Sequence, residues 1–154
     1  MGERSPHNDP DARAMFLGMS MNTTRQDMTQ AVLEGVAFGL RDSLEVARSQ
    51  GIEVQCSKIC GGGAKSPLWQ KIIANVMNLT LEIPKNEEGP GLGAAMLAAV
   101  GCGEYASAAE TCEKLAKTKA VIAPAPVLVK KYEERYQKFK KLYPAIKGVL
   151  GENQ

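Results

Sequence analysis

Apolar positions along this chain alternate between short unbroken runs and runs of helical period. Residues 14–20, Ala-Met-Phe-Leu-Gly-Met-Ser, predict a short buried strand after an exposed loop at 2–13 that is rich in Pro, Asp and Asn. Val32, Val36, Leu40, Leu44 and Ala47 then recur at helical spacing, from a capping box of Thr24 with Asp27 to a stop at Gly51. Gly35 and Gly39 sit one turn apart on that helix. Glycine costs about 1 kcal/mol in a helix interior, so this pair is expected to admit a neighbouring backbone. A second strand is predicted at 54–60, and Pro67 stands where a first helical turn tolerates proline, opening a helix that runs to about Met77. Residues 79–83 predict a third strand closed by Pro84, and 86–91 a Gly- and Glu-rich turn. Residues 91–100 form a helix of small residues that needs close packing, and residues 107–117 a surface helix. Strand and helix alternating in this way predict an α/β domain with a partly parallel sheet. No internal repeat or low-complexity tract interrupts it.

The last segment, 127–149, places Leu128, Tyr132, Tyr136, Phe139 and Tyr143 on one stripe, with lysines at 130, 131, 138, 140 and 141 around it. A basic amphipathic helix can serve a membrane or an acidic partner. The better reading is packing, with the aromatics facing the core and the lysines solvated. Pro144 should kink or end this helix.

Composition narrows the classes of function. With 154 residues, 44% hydrophobic and 23% charged, the chain fits one soluble domain with a core of its own. A net charge of +2 and few aromatics argue against a polynucleotide surface. No apolar run reaches bilayer length and residues 1–11 are polar with both signs of charge, unlike a signal peptide, so the expected address is cytoplasmic with no membrane partner. Cys56, Cys60, Cys102 and Cys112 lack the paired C-x-x-C spacing of zinc sites, and the single histidine, His7, leaves no material for a His/Cys metal centre or a Ser/His/Asp triad. No metal site is expected. The thiols should be reduced and mostly buried, with Cys56 and Cys60 on one face of a strand.

The richest chemistry lies in Ile59-Cys60-Gly61-Gly62-Gly63-Ala64-Lys65-Ser66-Pro67-Leu68-Trp69, three glycines between a predicted strand and a predicted helix. Glycines let a backbone approach an anion, and the first N–H groups of a helix point at whatever sits there. A tight turn needing only positive φ angles explains the glycines equally well. The P-loop pattern G-x-x-x-x-G-K-[ST] is not met: Lys65-Ser66 imitates its end, but Ala64 precedes the lysine. A dinucleotide fingerprint fits better, with Gly61-x-Gly63-x-x-Ser66 opening a helix and Glu82 on the next strand. Ser66 replaces its third small residue and a proline follows.

Four stretches in fixed order carry a family resemblance. They are Gly2-Glu3-Arg4-Ser5-Pro6-His7 with Asp9-Pro10 and Ala12-Arg13; Glu34-Gly35-Val36-Ala37-Phe38; residues 61–69; and Glu88-Gly89-Pro90 with Leu92-Gly93-Ala94-Ala95. On these, over about residues 2–149, the chain resembles the C-terminal part of the FGGY carbohydrate kinases, most closely the bacterial enzymes that act on xylulose. The resemblance implies an actin-like (ribonuclease H-like) ATPase domain, truncated at its N-terminal strands, that closes with a second domain on ATP and sugar. It assigns Gly61, Gly62, Gly63, Ala64, Ser66, Pro67 and Trp69 to the adenosine side, with the turn and helix at 89–95 packed beside them. Gly91 stands where the family would lead one to expect alanine. Arg4 and Arg13 become cleft residues, for a phosphate contact or a structural salt bridge.

The same resemblance places the catalytic aspartate, the phosphate motifs and most sugar contacts upstream, and none of Asp9, Asp11, Asp27 or Asp42 matches that aspartate. ATP or ADP with Mg²⁺ is the cofactor expected of the complete enzyme, D-xylulose its substrate, and sugar is bound only with the N-terminal domain. The chain alone is expected to be inactive. Its 14–20 strand should expose an edge, open to homodimerisation or edge-strand association. Two other readings stand beside this one: an NAD(P)-binding domain of an oxidoreductase, using Glu82 on the ribose, and a non-catalytic interaction fragment.

Overall fold

In a computed structural model of the chain, residues 2–86 and 89–150 are described. The turn expected at 86–91 and Glu88 of the fourth stretch therefore fall partly outside the described residues. The elements are α1 (Arg25–Ser49), β1 (Cys56–Lys58), a 3-10 turn (Gly62–Lys65), α2 (Pro67–Met77), β2 (Thr80–Pro84), α3 (Gly89–Gly101), α4 (Ala108–Leu115), β3 (Thr118–Ile122), α5 (Pro126–Phe139) and α6 (Leu142–Ile146), with a closing 3-10 turn at Lys147–Val149. The fold is mixed α/β. β1 pairs parallel with β2 in the register Cys56 with Thr80 and Lys58 with Glu82, joined through α2 as one βαβ unit. β3 adds antiparallel to the other side of β2, Leu81 opposite Ile122, with a register shift at Ile83 and Pro84. That irregularity is how a strand accommodates a proline, so Pro84 ends β2 from within rather than beyond it.

β3 was not foreseen, because the 107–117 helix ends early at Leu115 and the strand that follows, Thr118–Ile122, is only five residues long. The strand expected at 14–20 does not form. These residues have no strand partner among the described ones, and Met15, Phe16, Leu17 and Met19 are exposed. Without a neighbouring strand an apolar run has no ladder to satisfy its backbone, so hydrophobicity alone does not make it β. The 54–60 strand shrinks to three residues, leaving Cys60 outside it, and all four cysteines are exposed rather than buried.

α1 begins as the sequence indicates. Thr24 Oγ1 accepts the Asp27 N–H while Asp27 Oδ2 accepts the Thr24 N–H. Its buried face, however, is Glu34, Ala37, Phe38 and Arg41, and Val32, Val36 and Leu40 of the apolar stripe are about half exposed. The core explains the choice. Phe38 lies with its ring centroid 6.2 Å from Tyr132, 6.0 Å from Tyr136 and 5.2 Å from Phe139, so α5 offers aromatic surface to one side of α1 only. Ala37, Phe38, Ile72, Ile73, Ala74, Val76, Leu81, Tyr132 and Tyr136 form this cluster between α1, α2, α5 and β2. Packing is thus the role of Tyr132, Tyr136 and Phe139, whereas Leu128 is exposed and Tyr143 binds the N-terminal loop.

Burying Glu34 and Arg41 requires partners. Glu34 accepts the Tyr132 hydroxyl at 3.0 Å and the Arg135 guanidinium at 2.8 Å. Arg41 donates to the Val76 carbonyl at 3.0 Å and to Glu133 at 2.5 Å, and its guanidinium lies 4.0 Å over the Tyr136 ring. Arg48 adds a bond to the Met77 carbonyl at 3.1 Å. Two arginines of α1 therefore satisfy terminal carbonyls of α2, where positive charge also complements the helix dipole. The C-terminal end of α2 is anchored in this way, and its other end presents the glycine run.

Gly35 and Gly39 meet nothing within 4 Å at the position of an added Cβ, so the close backbone approach expected there is absent among the described residues. The small-residue helix α3 buries only Met96, and Leu97 is exposed. It packs against α4 and, through Gly89, against Cys60 at the start of the glycine loop. Helix α5 stops at Phe139, before Pro144, because proline cannot donate to the carbonyl of Lys140 four residues back and its ring crowds that position. Pro144 sits instead in the first turn of α6.

Candidate glycine-loop site

The 59–69 loop connects the end of β1 to α2. Its upstream end is tied to the sheet, Ile59 N–H donating to the Glu82 carbonyl at 3.1 Å. Gly61 then adopts φ +94°, a left-handed conformation that favours glycine. The 3-10 turn follows, closed by Ala64 N–H on the Gly61 carbonyl and Ser66 N–H on the Gly63 carbonyl, both at 3.1 Å. Ser66 is extended, and its Oγ accepts the Trp69 N–H at 3.4 Å as the N-cap of α2, while Pro67 occupies a position whose N–H would have no intrahelical partner. Gln70 Nε2 reaches back to the Ala64 carbonyl at 2.6 Å.

These contacts divide the loop into a held base and an open rim. Ala64 is buried, Trp69 partly buried, and Gly61 and Gly62 are exposed. Gly63 lies directly on the Trp69 indole: an added Cβ would stand 1.8 Å from Cζ3 and 2.5 Å from Cε3. No side chain other than hydrogen fits there. The first turn of α3 closes on the loop's start, since a Cβ on Gly89 would meet Cys60 Sγ at 3.0 Å. The expected neighbourhood of the glycine run and the 89–95 segment is thereby formed.

Arg4 and Arg13 are not brought into this site. Both are exposed, and neither forms an ion pair among the described residues. Their loop docks on α1 and α6 instead. Ser5 Oγ lies 3.0 Å from Ser43 Oγ, the His7 ring stacks on Tyr143 at 3.9 Å, and the Tyr143 hydroxyl donates to Asp9 Oδ2 at 2.8 Å. That bond, then the Asp11 backbone N–H, holds the Asp9 carboxyl below its ordinary range, and the same bond to Asp9 raises the Tyr143 hydroxyl. In the core, burial followed by the charge of Glu34 pushes Tyr132 up to about 12.

Glu82, the acid of the dinucleotide alternative, lies in the middle of β2 rather than at its end. Its carboxylate accepts the Thr118 hydroxyl at 2.9 Å and stands 3.9 Å from Lys58 Nζ. Desolvation, then the Glu82 charge, raises the neighbouring Cys56 thiol, which works against a nucleophilic role. Among the described residues no group of three or more His, Cys, Asp or Glu side chains comes together that could hold a metal ion, and no helix is long and apolar enough to cross a membrane. An open groove of about 620 Å³, lined by Asn78, Pro124, Pro126, Val129 and Glu133 among others, lies at the opposite end of α2 from the loop.

The chemistry available at the loop is accordingly that of binding: exposed glycine backbone over an aromatic base, next to a helix N-terminus. Ser66 is engaged as a cap and offers no activated nucleophile. Gln70 and Cys60 were missed from sequence. A glutamine four residues into a helix carries no signal that it reaches back to a loop carbonyl, and the packing of Cys60 on Gly89 depends on tertiary structure.

Comparison with known proteins places this site in context. Residues 1–102 match the C-terminal domain of the FGGY family of carbohydrate kinases. The xylulose kinase of Staphylococcus epidermidis is 36% identical over 151 residues, covering 98% of this chain and 30% of the relative. A crystal structure of a "xyloylose kinase" from Brucella ovis superposes with a TM-score of 0.84 at 35% identity, over 94% of this chain and 30% of that one. Plasmodium falciparum glycerol kinase, crystallised with ADP, superposes with a TM-score of 0.76 at 28% identity, over 94% and 29%. The chain thus spans about 30% of the length of the curated relatives it matches. The structural neighbours are FGGY carbohydrate kinases of the actin-like ATPase fold. With its domain matched over residues 1–102 and its relatives matched along nearly the whole chain, this protein belongs to the FGGY family of carbohydrate kinases.

Proposed function

We propose that this chain is the nucleotide-side part of a xylulose kinase, a partial C-terminal domain whose complete enzyme transfers the γ-phosphate of ATP to the terminal hydroxyl of D-xylulose, giving D-xylulose 5-phosphate. The observation that carries the reading is the glycine loop, with Gly61 and Gly62 open to solvent on a base set by Gly63, Ala64 and Trp69. Adenosine would lie against Gly62 and Gly63, with Ala64, Ser66, Pro67 and Trp69 forming the wall beside it. An ADP-bound glycerol kinase among the structural neighbours supports a nucleotide there, and the xylulose kinases among the relatives support the sugar. Phosphoryl transfer also needs a carboxylate to take the hydroxyl proton and Mg²⁺ to bridge the phosphates. This reading assigns both to the upstream domain, together with the sugar, and places the enzyme in the cytosol. Arg4 and Arg13, both exposed, would face the interdomain cleft.

A chimera tests this. The last 30% of the Staphylococcus epidermidis enzyme is replaced by this chain, and transfer from MgATP to D-xylulose is followed. The chimera is expected to phosphorylate D-xylulose, and this chain alone to transfer nothing. A folded but inactive chimera, or transfer by the chain alone, would overturn the reading.

A further inference from the structure

We propose that Trp69 is the positioning residue of the glycine loop, a rigid spacer whose benzo edge fixes the height at which Gly61 and Gly62 are presented. The inference rests on the reading of this loop as the nucleotide-facing wall and adds what holds that wall in place.

Three contacts immobilise the base of the loop, and two of them fix only backbone. Gln70 holds the Ala64 carbonyl at 2.6 Å, and Ser66 Oγ caps the Trp69 N–H at 3.4 Å. The third is steric. The indole presses on Gly63 so closely that an added Cβ would overlap Cζ3 at 1.8 Å. Trp69 in turn packs against the buried cluster that contains Phe38, Ile72 and Tyr132. A single flat ring therefore spans from the core to the loop backbone.

The indole nitrogen shows that core filling is not the reason for a tryptophan here. Nε1 is buried and has no hydrogen-bond partner among the described residues. It lies on the opposite edge of the ring from Cζ3, so it points away from Gly63. A buried indole N–H without an acceptor is unfavourable, and leucine or phenylalanine would fill apolar space without it. What a smaller side chain lacks is the reach to Gly63. The pairing is reciprocal, because the indole can occupy that position only while residue 63 has no Cβ.

Reciprocity makes the inference testable without nucleotide. Amide spectra are recorded on the 154-residue chain for Gly63→Ala, Trp69→Leu and the double variant. Gly63→Ala should shift the Gly61 and Gly62 amides at least threefold more than that of Phe38, and adding Trp69→Leu should reverse at least half of that shift. Shifts no larger at Gly61 and Gly62 than at Phe38, or a double variant no closer to the parent, would overturn it. Should Gly63→Ala fail to fold, hydrogen exchange decides. Trp69→Leu should speed Gly61 and Gly62 exchange about tenfold relative to Phe38, and unchanged relative rates would overturn the proposal. In a parallel ADP titration, Gly63→Ala should weaken binding at least tenfold and the double variant should recover part of it. Absence of ADP binding in the parent chain would count against the nucleotide reading, while the amide comparison still decides the role of Trp69.

Discussion

Replacing Arg41 by methionine probes the scaffold that holds the glycine loop. The guanidinium is buried, donates to the Val76 carbonyl at 3.0 Å, pairs with Glu133 and stacks at 4.0 Å on Tyr136. Losing a charge-assisted bond to a buried carbonyl costs about 1.5–3 kcal/mol, and losing a desolvated cation–π contact about 0.5–2 kcal/mol. The pair with Glu133, whose side chain is 43% exposed, adds little after solvent screening. Methionine returns part of the loss, because it fills similar volume without a charge to desolvate. The net expectation is about 2–3 kcal/mol, or roughly a 5–10 °C fall in Tm for a chain of this length. Urea denaturation followed by helical circular dichroism measures it, with Glu133→Gln as a control expected to cost about 1 kcal/mol or less. A loss below about 0.5 kcal/mol for Arg41→Met would show that Arg41 does not anchor the C-terminal end of α2.

Two further predictions concern the loop's cap and the N-terminal segment. Ser66→Ala removes the acceptor for the Trp69 N–H and should lower stability by about 1 kcal/mol, with faster amide exchange at Trp69; unchanged exchange would refute the capping role. Asp9 has a folded pKa depressed below its ordinary value, so its contribution is present above that ordinary value and lost as pH falls through the folded one. Tyr143 is raised by the same bond, so its contribution is full below the ordinary tyrosine value, about 10, and lost as pH rises through the folded one. Protection of the Glu3 amide, which donates to the Asp9 carbonyl, should therefore fall below about pH 4, and Tyr143→Phe should lower it at neutral pH while removing most of its acid dependence. Equal protection in the parent and the variant from pH 3 to 7 would contradict this.

Local signals were legible and tertiary choices were not. The Thr24 and Asp27 capping box and Pro67 at the start of α2 are decided by neighbours within a turn, and both form as read. On α1, counting apolar residues selects Val32, Val36 and Leu40, yet the buried face holds Glu34 and Arg41. Their partners, Tyr132, Arg135 and the Val76 carbonyl, lie up to 101 residues away, and no periodicity encodes them. The 14–20 run failed as a strand for a related reason: β structure needs a partner, which a window of sequence does not contain. At the site, the glycine turn between a strand and a helix was readable. That Gly63 is required by Trp69 depends on a ring orientation only the fold supplies.

The central claim is that residues 61–66 face an adenine nucleotide. Titrating ADP against the isotopically labelled 154-residue chain, with NAD in a matched series, tests it most directly. The account predicts saturable shifts centred on the amides of Gly61, Gly62, Gly63, Ala64 and Ser66, with ADP acting at lower concentration than NAD. Silence at those amides at millimolar ADP in a folded chain, or tighter binding of NAD there, would contradict it.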